Sequence, residues 1–172
     1  VLCNQKYKDL WTANGTLVTG VSSFPALLNT GKLLWLEDEK GNLVSWVEYS
    51  DTWYKDSKKE SGGYSLECID PDNLSNDALN WQATNDVKGG TPAAINSVIG
   101  SSPDNTAIAV LSSFMQSPDT IVVNFNKPMD ISSLSDLNNY RLLGTETLLI
   151  EAIPDYPCGR NVKLVLNTLL KA

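Results

Sequence analysis

No β-strand can run through Gly89-Gly90-Thr91-Pro92. Two glycines let the backbone reach φ > 0, and Pro92 then fixes φ and removes an N–H donor. The stretch from Asn80 to Ser97 therefore predicts a tight turn followed by an exit from a sheet. Trp81 stands at its start as a large apolar anchor. Read as punctuation, this stretch closes one domain and opens the next.

The same punctuation recurs along the chain. Turn signals stand at Asn14-Gly15, Asn29-Thr30-Gly31, Glu39-Lys40-Gly41-Asn42, Gly62-Gly63 and Asp70-Pro71-Asp72-Asn73. Between and after them lie short apolar runs, read as strands at 1–3, 32–38, 43–49, 64–69, 106–115, 119–125, 140–143, 147–153 and 161–167. Residues 4–8 read as a polar connection, and 132–139 as one helical turn with Ser132 as its cap. Strands with turn signals every ~8–12 residues indicate an all-β sandwich or barrel. In 43–49 both faces carry apolar side chains, Val44 and Trp46 on one and Leu43, Val47 and Tyr49 on the other. That pattern predicts a strand inside a sandwich.

Charge narrows the partners. Against 20 Asp and Glu there are 13 Lys and Arg, a net charge of −7. Nucleic acid and anionic membrane surfaces both require a basic face, so neither is expected as a partner. No apolar run is long enough for a transmembrane helix, and no signal peptide opens the chain. Histidine is absent, which excludes a Ser-His-Asp or Cys-His pair and His-ligated zinc within these residues. Cys3, Cys68 and Cys158 are widely spaced, and their odd number leaves at least one thiol unpaired or paired between chains. The chain opens on the apolar Val1-Leu2-Cys3, and strand-like sequence lies close to its other end. These features give the expectation of a fragment or processed form of a longer protein.

Each candidate site also has a plainer role. Asp70, Asp72 and Asp77, with Asn73 and Asn76 between them, offer oxygen ligands for calcium, but the spacing fails the EF-hand pattern and a solvated Asp/Asn turn explains it. Five tryptophans are many for 172 residues. Trp35, Trp46 and Trp81 sit in or beside strand patterns and are expected in the core. Trp11 and the pair Trp53-Tyr54 sit near loops, and they are the candidates for stacking on a carbohydrate. Gly89-Gly90-Thr91 lacks the rest of a phosphate-binding loop. Glu37, Glu48, Glu67 and Glu151 offer no reason to pair as glycosidase carboxylates. The expectation is a chain without catalytic residues, metal or cofactor.

Two resemblances add to this reading. The ordered series Leu28-Asn29-Thr30-Gly31, Leu36-Glu37-Asp38-Glu39-Lys40-Gly41, Val44-Ser45-Trp46-Val47-Glu48-Tyr49-Ser50, Trp53, Gly63-Tyr64-Ser65-Leu66-Glu67, Asn80-Trp81 and Gly89-Gly90-Thr91-Pro92 through Asn96-Ser97 resembles the bacterial lamin tail domain, an immunoglobulin-like β-sandwich, over residues 1–98. The family's first strands are missing here. Thr120-Ile121-Val122-Val123-Asn124-Phe125-Asn126-Lys127-Pro128-Met129-Asp130, followed by Asn139-Tyr140, is similar to the bacterial Ig-like domains repeated in cell-surface proteins, over residues 101–172. These resemblances imply two tandem Ig-like β-sandwich modules, all-β, in a secreted or cell-envelope protein. They imply a noncatalytic structural or adhesive role, with other domains of the parent protein, glycans or cell-surface proteins as partners. The alternative is a carbohydrate-binding module using Trp11, Trp53 and Tyr54. Sandwiches lacking terminal strands leave unpaired edges, so a homodimer through open sheet edges is also expected.

Overall fold

The computed structural model describes residues 1–12, 17–73 and 75–169. The turn expected at Asn14-Gly15 lies outside the described residues. Among them 32% are in strands and 15% in helices, so the chain is β-rich, with its strands in several sheets. The chain divides into two compact units, one formed by Val1–Leu34 with Val47–Pro103 and the other by Trp35–Trp46 with Asp104–Ala172.

The first unit begins with β1 (Leu2–Asn4) and β2 (Thr19–Val21), which pair in parallel with Cys3 opposite Gly20. Residues 4–8 are not a polar connection. They lead through a 3-10 turn (Gln5–Tyr7) into the short helix α1 (Lys8–Thr12). The local cause is Asn4, whose side chain accepts from the Lys6 N–H at 2.9 Å and satisfies a donor the turn leaves open. Next in the chain come β3 (Gly31–Glu37) and β4 (Leu43–Ser50), which pair as a two-stranded ribbon whose residues Trp35–Trp46 belong to the second unit. Asp38 shapes the connection between them: its Oδ1 accepts from the backbone N–H groups of Lys40 and Asn42, each at 2.8 Å. Gly41 there takes φ 81°, which a residue with a side chain adopts only under strain.

The strand expected inside a sandwich thus sits in a ribbon of two strands. Val44 is exposed, and Trp35, expected in the core, is 52% exposed. The alternation forms a strand as expected, while Leu43, Trp46, Val47 and Tyr49 of β4 are half-buried rather than core.

A second 3-10 turn (Asp51–Tyr54) and the short helix α2 (Ser57–Glu60), capped by Asp56, follow. Then β5 (Leu66–Cys68) pairs antiparallel with β6 (Trp81–Ala83), Glu67 opposite Gln82. The connection between β5 and β6 contains three side-chain turns in which a carboxylate or amide accepts the N–H two residues on: Asp70 from Asp72, Asn73 from Ser75, and Asp77 from Leu79. After β6 no strand runs through 89–92, as their sequence requires. Gly89 takes φ 89° and donates its N–H to the Asp86 carbonyl at 3.0 Å, and a Cβ at that position would collide with the Gly63 carbonyl.

The second unit contains a four-stranded antiparallel sheet. Its strands are β7 (Val110–Ser117), β8 (Thr120–Phe125), β9 (Leu149–Pro154) and β10 (Asn161–Leu166), in the order β7-β8-β10-β9. Alternation places Ile121, Val123 and Phe125 of β8 on one face, together with Val162 and Leu164 of β10. The short helix α3 (Ile131–Ser135) belongs to the same core through Leu134, with Met129 and Tyr140 packed against that cluster. Val162 is fully buried.

Two expectations fail in this unit. The helix cap is Asp130, not Ser132: the Asp130 carboxylate accepts the Ser133 N–H at 2.7 Å, while Ser132 donates its own hydroxyl to Asp130. Residues 140–143 are not a strand. Tyr140 ends a 3-10 turn (Leu137–Asn139), and its hydroxyl reaches the Leu134 carbonyl at 2.7 Å, so its bulk serves the core.

Candidate functional site

A cavity of about 580 Å³ opens in the first unit. Its wall combines β5, through Leu66 and Glu67, with the turn at Lys88 to Pro92 and with Asn96 and Trp11. The volume falls in the ~300–1,000 Å³ range of small-molecule sites.

Glu67 is the centre of this region. It is 5% exposed, although carboxylates are seldom buried. Its Oε1 accepts the Thr91 hydroxyl at 2.6 Å, and its Oε2 accepts both the Ser97 N–H at 2.8 Å and the Ser97 hydroxyl at 2.7 Å. Burial alone pushes the carboxyl toward its neutral form. Donation from Thr91, Ser97 and Thr84, with the Ser97 N–H, outweighs that and holds the group below its ordinary range. Thr84, itself fully buried, shares its hydroxyl with Ser97 at 2.9 Å. The result ties residues 91–97 to the edge of β5.

A second brace stands beside it. Asn80 is fully buried. Its Oδ1 accepts the Asp70 N–H at 2.9 Å, and its Nδ2 donates to the carbonyls of Asp70 at 2.8 Å and Asn73 at 3.1 Å. One amide thus holds the whole turn after β5. Burial pushes the nearby Cys68 thiol up, and the Asp70 charge adds to this. Cys68 is therefore a poor nucleophile.

The carbohydrate candidates separate. Trp53 is only 8% exposed, with its ring centroid 6.3 Å from that of Trp81. It is a packing residue and cannot offer a face to a sugar. Its place in a 3-10 turn looked like loop in the sequence, but that turn turns the ring inward. Tyr54 is half-buried and donates its hydroxyl to the Tyr64 carbonyl at 2.9 Å. Trp11, on α1, is 40% exposed and lines the cavity. The Nε1 of Trp81 is buried without a hydrogen-bond partner.

Of the three calcium candidates, Asp72 is exposed, and Asp70 and Asp77 spend their oxygens on their own chain. Asp70 accepts the N–H groups of Asp72 and Ser102, and Asp77 accepts the Leu79 N–H and the Ser75 hydroxyl. Among the described residues no three His, Cys, Asp or Glu side chains converge on a common point. Of the four glutamates considered for a glycosidase pair, only Glu67 lines the cavity; Glu37, Glu48 and Glu151 are exposed on strands.

Sequence reasoning missed Lys88, Thr91 and Asn96 as cavity residues. The signal was present in the glycine-proline turn, which brings 88–96 back against β5: the Ser65 N–H donates to the Gly89 carbonyl at 2.8 Å. Among the described residues no helix is long and apolar enough to cross a membrane. Comparison of the chain with protein-family models, with curated proteins and with solved structures returns no match.

Proposed function

We propose that this chain is a noncatalytic structural or adhesive module of a larger secreted or cell-envelope bacterial protein. In this reading residues 1–98 form a lamin-tail-like sandwich and 101–172 a bacterial Ig-like one, and the partners are neighbouring domains, glycans or surface proteins.

The observation that carries the reading is the apolar surface on the two edge strands of the four-stranded sheet. On β7, Val110, Phe114 and Met115 are exposed and Leu111 is 68% exposed; on β9, Ile150 and Ile153 are exposed. On β7 four of eight residues are exposed large apolar side chains, and such a strand fits a surface that meets another chain or domain. The eight residues of β7 carry no charge and no proline, the usual protection of an edge strand. This supports pairing through the sheet edge, including between two copies. The buried polar groups support the noncatalytic part, because Glu67, Asn80 and Thr84 are engaged by the protein's own loops.

The test is a turnover screen of the purified chain on glycoside, ester and phosphoester substrates, run beside sedimentation velocity over a concentration series. The reading expects no turnover and concentration-dependent self-association. Hydrolysis that disappears in Glu67→Gln, with the fold intact, overturns it.

A further inference from the structure

We infer that the cavity beside Trp11 is a binding site for a neutral saccharide ring. This does not depend on the module reading, since enzymes and spacers alike can carry such a site.

The argument rests on the donor and acceptor inventory of the wall. Trp11 contributes a half-exposed indole, and Leu66 and Pro92 add apolar surface. A pyranose presents a C–H face that packs on an indole and hydroxyls around its edge that both donate and accept. The polar groups suit those hydroxyls. Lys88 brings an ammonium with three donors. Asn96 uses its Nδ2 on the Cys68 carbonyl at 2.9 Å, which leaves Oδ1 as an acceptor. Thr91 gives its proton to Glu67, so its oxygen also remains an acceptor. The Ser65 hydroxyl, which both donates and accepts, completes the polar wall. A wall that mixes donors with neutral acceptors suits the hydroxyls of a sugar better than phosphate or sulfate, which need donors alone. The Glu67 carboxylate in the same wall opposes an anion further, and Lys88 opposes a cationic ligand. One positive and one negative group leave the site close to neutral overall. Glu67 has its oxygens engaged by Thr91 and Ser97, so it shapes the wall rather than gripping the ligand.

The experiment is isothermal titration of the intact chain with soluble mannan, laminarin, cello-oligosaccharides and chito-oligosaccharides, with dextran sulfate as the anionic comparison. One neutral saccharide should bind, and Trp11→Ala should weaken it at least about tenfold, the loss of one stacked ring. Trp11→Phe should retain part of the affinity. Lys88→Ala, at an exposed position, should weaken binding about threefold or more without touching the fold, and it serves as the test should Trp11→Ala fold poorly. Absence of binding by every neutral saccharide at millimolar concentration overturns the inference. So does unchanged affinity in both variants, or binding of dextran sulfate alone.

Discussion

Ser97 donates both its backbone N–H and its hydroxyl to one oxygen of Glu67, at 2.8 and 2.7 Å, across thirty residues of chain. The carboxylate is buried and Thr91 occupies its other oxygen. A turn whose apolar residues Ala93, Ala94 and Ile95 are all exposed is tied to β5 chiefly through one charged acceptor.

Glu67→Gln should therefore destabilise the first unit by about 1.5–3 kcal/mol, the range for hydrogen bonds to a charged group. The amide cannot accept at both ends, so Thr91 or Ser97 loses its acceptor. Denaturant unfolding followed by tryptophan fluorescence, which reports on the packed Trp53 and Trp81, measures the change.

The same carboxylate sets an acid limit. Its pKa in the folded protein lies below the ordinary value of 4.5, so its contribution is complete above that pH and is lost as pH falls through the folded value. Asp104, held down chiefly by Lys127, and Asp130, held down chiefly by Ser132, act with the same sign in the second unit. Stability should be flat from neutral pH to about pH 5 and then fall. In Glu67→Gln the acid fall of the first unit should be shallower, which melting curves between pH 3 and 7 would record; an unchanged slope would remove Glu67 from this account.

Asn80→Ala should cost about 2–3 kcal/mol, because it takes away the partner of the Asp70 N–H and of the Asn73 carbonyl, while the Asp70 carbonyl keeps the Asn73 N–H. Asn80→Asp should be no better at neutral pH, since a carboxylate would face the two carbonyls that the amide now serves. Chemical denaturation of the two variants side by side makes the comparison.

In the second unit Leu134→Ala should cost about 2–4 kcal/mol, the usual loss for a large buried side chain, and Asp130→Ala about 1 kcal/mol as a lost helix cap. Leu134 is buried in the cluster with Val162 and Leu164, whereas Asp130 acts only at the start of α3. Thermal unfolding of the two variants should keep that order.

Phe114→Lys should abolish the self-association proposed for β7 and leave the melting temperature nearly unchanged. A lysine on an edge strand blocks pairing at little cost because Phe114 is already exposed. Sedimentation velocity of the variant and the parent chain decides it, and equal association by both would place any interface elsewhere.

Much of the strand layout is legible in the amino-acid order. The alternation in Thr120-Ile121-Val122-Val123-Asn124-Phe125, the Asp38-to-Gly41 connection and the break at Gly89-Gly90-Thr91-Pro92 are local effects of side-chain period, turn chemistry and φ, and each element forms where those effects place it. Which side of a strand is covered is not local. Trp35 lies among leucines in a strand pattern and Trp53 among polar residues near a loop, yet Trp35 is exposed on a two-stranded ribbon and Trp53 is packed beside Trp81. Likewise nothing near Glu67 in sequence distinguishes it from Glu48 or Glu151. Only the return of residues 91–97 to β5 supplies the donors that let its charge be buried, because a carboxylate leaves water only where hydrogen bonds from distant chain replace it. Sequence alone determined the period and the breaks; the tertiary structure decided burial, and with it which residues are left facing the cavity.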